Sequence, residues 1–149
     1  MMESSVNTGS LLSNIRNASS LEAATAYHRS HPDPTFLDLL NALMERKKQK
    51  PVDIIQASGI ERSYFYHILD GKKNPGRNMV LRIAICMNCK LEDINQLLRL
   101  SGYATLYPKI RRDAIIIYAI SKNMSMSEVN DLLFSENQEP MYRKDQARQ

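Results

Sequence analysis

The sequence contains no tryptophan and only five glycines among 149 residues. Few of its runs alternate apolar and polar residues as a half-buried strand does. These deficits argue against a sheet and predict an all-α fold. The longest apolar run, Ala114 to Ile120, is far shorter than the roughly 20 residues that cross a bilayer. Met1 to Ser13 is polar, with no basic segment leading into an apolar one, so no signal peptide is read there. A cytoplasmic protein without a membrane role is expected. The glycine loop that cradles nucleotide phosphates, the serine nucleophile elbow and the His-Glu-x-x-His zinc pair are all missing. With three histidines and scattered carboxylates in no readable constellation, neither catalysis nor a cofactor is expected.

Cysteine is scarce too. Cys86 and Cys89 form a C-x-x-C, and His28 and His31 add two more potential ligands. Four ligands suffice for zinc. However, the histidine pair lacks a finger-like context, and a redox C-x-x-C belongs in a βαβ setting that is not present. No metal site is expected.

What the sequence does have is charge in one place. Between Met44 and Arg77 lie eight basic residues, Arg46, Lys47, Lys48, Lys50, Arg62, Lys72, Lys73 and Arg77. Four acids, Glu45, Asp53, Glu61 and Asp70, offset them. The excess of four equals the net charge of the whole chain, +4. Such a local excess suits phosphate neutralisation, as it also suits a plain solvated face.

Helical signals punctuate the chain. Ser20 to His28 can form a short helix capped by Ser20. Asp33 followed by Pro34 reads as an N-cap with proline in the first turn, opening a helix from Thr35 to about Lys48. Its Phe36, Leu39, Leu40 and Leu43 share one face. Pro51 to Pro75 reads as a short helix, a turn at Gly59, a second helix, and a basic loop from Gly71. Ile54, Ile55, Ile60, Phe65 and Ile68 fall on the facing sides of the two helices. Two more helices follow, Asn78 to Met87 and Leu91 to Ser101, with Gly102 ending the latter. Ile110 to Asn123 is apolar nearly all round in its middle and needs cover on most sides. Ser125 and Glu128 form a capping box for a last helix carrying Val129, Leu132, Leu133 and Phe134. The final two helices can close over the preceding five or pair with their copies in a dimer.

The turn Gly59-Ile60, the inward pair Phe65 and Ile68, the loop Gly71-Lys72-Lys73-Asn74-Pro75 and the following helix with Val80, Ile83, Ala84 and Met87 carry a resemblance. From about Phe36 to Gly102 the chain resembles the lambda-repressor-like (Cro/cI, XRE) helix-turn-helix family. In two places it departs: Ile55 stands where the family prefers a small residue, and Pro51 where a phosphate-bonding glutamine is frequent. The resemblance implies a five-helix DNA-binding unit over 33–102. A mobile segment with a short helix (1–32) precedes it, and a two-helix extension (103–136) and a frayed tail (137–149) follow it. Cys89 then matches a small core position, which a free thiol fills well.

The resemblance further implies that the second motif helix enters the major groove. Glu61, Arg62, Ser63, Tyr66 and His67 would then face the bases, with Tyr64 at the margin. Arg62 can fork onto guanine. Lys72, Lys73, Asn74 and Arg77 would hold phosphates. Lys47, Lys48 and Lys50 are weaker candidates, because a helix C-terminus attracts lysine anyway. The implied protein is a sequence-specific transcriptional regulator of bacterial or phage type, a homodimer on double-stranded DNA. The alternative is a protein-interaction adaptor or antitoxin-like module that uses Tyr64, Tyr66 and the C-terminal helices to hold another protein.

Overall fold

In the computed structural model, residues 7–143 are described; they form ten α-helices and no strand. Two compact units divide the chain, Met1–Pro34 and Thr35–Gln149.

The first unit is not the single short helix expected. Asn7 caps α1 (Thr8–Arg16) by accepting from Ser10 N. Ser20 caps α2 (Leu21–Ala24) as the sequence indicates. The helix then breaks at Thr25, and α3 (Ala26–Ser30) follows. Thr25 Oγ1 donates to Leu21 O at 2.9 Å, a back-bond that competes with helix continuation. None of these three helices buries a residue.

The second unit opens one step later than Asp33-Pro34 suggests. Thr35 is the N-cap of α4 (Phe36–Arg46). Its hydroxyl accepts from Asp38 N, and the Asp38 carboxylate accepts from Thr35 N. This reciprocal box satisfies two orphan amides, which Asp33 cannot match. α5 (Pro51–Ser58) starts on proline, with Asp53 accepting from Lys50 N at 2.8 Å. Gly59 ends it at φ +69°, where a β-carbon would be strained. α6 (Arg62–Leu69) buries Phe65 and Ile68 against α5.

α7 (Arg77–Cys86) is the centre of the unit. Val80 through Ile85 are all buried, because α5, α8 (Leu91–Leu100) and α10 (Met126–Ser135) all pack against it. The inward set expected from one-sided packing therefore lacked Leu81, Arg82 and Ile85. α9 (Arg111–Ser121) buries Ile116 and Ala119, and α10 buries Met126, Val129 and Leu133. One continuous apolar cluster runs from Leu40 to Met141. The last two helices thus complete the core of their own chain, and the core does not stop at Gly102.

The expected fraying after Glu136 also gives way to structure. Met141 is buried, and Asn130 holds the segment by accepting from Met141 N at 2.7 Å and donating to Tyr142 O at 2.9 Å. The rest of that expected tail, 144–149, lies outside the described residues.

Candidate nucleic-acid interface

The residues singled out in sequence converge on α6 and the loop after it. The Glu61 carboxylate is the N-cap of α6, accepting from Ser63 N, Ser63 Oγ and Tyr64 N. The Ser63 hydroxyl and the Tyr64 amide hold its pKa below the usual carboxylate range. Its charge is directed into its own helix, where it also meets the positive end of the helix dipole. At the other end, Asp70 accepts from Lys72 N at 3.0 Å and lies 3.7 Å from Lys72 Nζ. Both acids of this face are therefore engaged locally.

Between them Arg62, Ser63 and Tyr66 are exposed and His67 is half-buried. The Arg62 guanidinium lies 5.5 Å from the centroid of the Tyr66 ring, a spacing at which the ring face attracts the cation. Glu61, Arg62, Ser63, Tyr66, His67, Asp70 and Lys72 line one shallow depression of about 490 Å³. Tyr64 is half-buried and packs on the core, so it stands at the margin. Lys72, Lys73 and Asn74 are exposed in the loop. Gly71 enters that loop at φ +83°, and buried Pro75 closes it with its carbonyl accepting from Tyr103 Oη at 2.9 Å. Tyr103 is thus the anchor of the basic loop.

Arg77 does not join the group. Its guanidinium donates to Asp113 Oδ1 and Oδ2 at 3.3 and 3.1 Å, and to the carbonyls of Ala104 and Thr105. Asp113 is 2% exposed. The first residue of α7 faces the loop before α9 and the first turn of α9, where the buried Asp113 carboxylate captures it. Arg77 is a strut between these elements.

Two other basic residues are also partly committed. Lys47 Nζ donates to Asn88 O at 3.1 Å, and Arg46 lies 3.8 Å from Asp93. Lys48 and Lys50 are exposed. Burial pushes the Cys86 and Cys89 thiols up to about 11, so both stay protonated near neutral pH. No group of three or more His, Cys, Asp or Glu among the described residues could hold a metal ion.

Arg82 is the residue the sequence reading passed over, although an arginine inside the apolar run Val80 to Ile85 was a visible signal. It is 5% exposed and donates twice to Ser58 O, from Nε at 3.0 Å and from Nη2 at 2.6 Å. No helix in the described residues is long and apolar enough to cross a membrane. No protein-family model, curated protein or solved structure matches this chain.

Proposed function

We propose that the protein binds double-stranded DNA through α6 and the basic loop behind it, as a helix-turn-helix regulator of transcription. One observation carries the reading. The two acids bracketing α6 are engaged by their own helix and loop, through Ser63, Tyr64 and Lys72, while Arg62, Tyr66, Lys73 and Asn74 are exposed on the outside. The face therefore offers donors in the middle and cations at one edge. Arg62 supplies base contacts of the guanine type, and Ser63, Tyr66 and His67 add hydrogen bonds. Lys72 and Lys73 neutralise phosphates. Within this reading the protein acts as a cytoplasmic homodimer, each copy docking one α6.

A protein-docking reading is favoured by a different observation: Tyr118 and Phe134 are 52% and 74% exposed on the C-terminal helices. The experiment that separates the two selects bound sequences from a random duplex pool, then measures affinity against salt. A recovered motif, with affinity falling steeply between about 50 and 200 mM salt, supports DNA. No enrichment, or a flat salt response, removes it.

A further inference from the structure

Arg82 sits at the junction of three elements. It projects from α7 and reaches the C-terminal end of α5, where Ser58 O accepts both of its hydrogen bonds. A carbonyl in the last turn of a helix has no partner within the helix, and buried it needs one. Ser58 also closes the turn from its side chain, with Oγ accepting from Ile60 N at 3.1 Å. The residues so held, Ser58 and Ile60, bracket Gly59, at which the chain swings from α5 into α6.

The other side of the guanidinium is held by the end of the chain. Arg82 Cζ lies 4.1 Å from the centroid of the Tyr142 ring, close enough for a strong cation–π contact. Burial lowers the Arg82 pKa, and Tyr142 acts against that shift. Tyr142 in turn has little freedom, since Asn130 on α10 bonds the backbone of Met141 and Tyr142. The pinned chain therefore runs from α10 through Asn130, Tyr142 and Arg82 to the turn that aims α6. No salt-bridge acid holds Arg82 among the described ion pairs, so the ring face and the carbonyl are what direct its head group.

We propose that Arg82 is a positioning residue for the α6 face, and that Pro140 to Tyr142 is the strap that keeps Arg82 on the Ser58 carbonyl. The functional consequence rests on the DNA reading of α6, while the positioning itself does not. Loosening the strap frees the guanidinium to rotate, leaves the Ser58 carbonyl short of donors and loosens the Gly59 turn. The direction of α6 then fluctuates although its core residues Phe65 and Ile68 remain packed.

The test uses the full chain with Tyr142→Leu, which keeps apolar volume and removes the ring face, and Tyr142→Phe, which keeps the ring. Amide hydrogen exchange is followed residue by residue. Tyr142→Leu is expected to speed exchange at Ile60 by about tenfold, with Leu97 and Leu98 in α8 unchanged and Tyr142→Phe at the wild-type rate. An unchanged Ile60 overturns the proposal. So does a uniform acceleration at Ile60, Leu97 and Leu98, which assigns the strap to global stability alone. Duplex binding is measured beside it: Tyr142→Leu should weaken binding severalfold, and Tyr142→Phe should not. If the wild-type protein binds no DNA, the functional reading falls, and the exchange pattern still decides the strap.

Discussion

Replacing Asp113 by alanine tests the strut at the start of α9. The carboxylate is 2% exposed and accepts from both Nη atoms of Arg77 and from Tyr107 N at 3.0 Å. Removing one member of a buried pair costs about 3–5 kcal/mol, because the other charge stays behind without its partner. Here the lower end applies, for two reasons. The Arg77 side chain is 25% exposed, so water reaches it, and it keeps the Ala104 and Thr105 carbonyls. The expected loss is therefore ~3 kcal/mol. A domain this size has about 5–15 kcal/mol in hand, so the variant should fold. With a urea slope of roughly 1–3 kcal/mol/M, its midpoint by far-ultraviolet circular dichroism should drop by at least about 1 M. Arg77→Met in the same background should recover part of the loss, since it removes the stranded charge. A loss below about 1 kcal/mol, as for an exposed pair, or a double variant no better than the sum of its parts, would refute the buried-strut argument.

Three further outcomes are expected. Arg62→Ala should cost roughly 1–3 kcal/mol at the selected DNA site and relax preference at one base position, whereas Lys72→Ala or Lys73→Ala should weaken all sequences alike and shallow the salt slope by about one unit; an intact preference in Arg62→Ala would count against direct reading. The lowered pKa of Glu61 means that its capping contribution is complete above its unfolded pKa and fades as pH falls through the folded one. The stability gap between wild type and Glu61→Ala should therefore close on acidification below the carboxylate range, and a gap that is constant down to the acid limit of folding would contradict the cap. Ile116→Asp should unfold the protein, as Ile116 is fully buried, while Tyr118→Asp should leave circular dichroism unchanged; if the exposed face of α9 joins two copies, light scattering will show Tyr118→Asp as a monomer.

Where the signal was local, the sequence was readable. Gly59, Gly71 and Gly102 take positive φ, and the Ser125–Glu128 box forms, because each depends on residues within one turn. The inward pair Phe65 and Ile68 followed from helical spacing. The capping error at Asp33 had a local cause as well, two overlapping start signals of which the reciprocal one won. What stayed hidden was long-range polar chemistry. Arg77 reads as one more exposed cation until Asp113, 36 positions on, is brought to it. Arg82 and Asn130 look like interruptions of apolar helices until the Ser58 carbonyl and the Met141 and Tyr142 backbone supply their partners. The α6 residues named from the sequence line one depression because they share a helix, whereas the pairing of Arg77 with Asp113 depends on a distant element.

The burial of Met141 among the residues that begin at Leu40 has a temporal side. A ribosome adding about 5–20 residues each second needs roughly 5–20 s to travel between those two positions. During that interval α4 to α8 exist, yet the side of α7 that will meet α10 is bare. Apolar surface left open there is the kind that chaperones grip and that neighbouring nascent chains stick to. The order of synthesis thus delivers α10 and Met141 after the helices they pack with, so a chain ended before them leaves that part of the core uncovered.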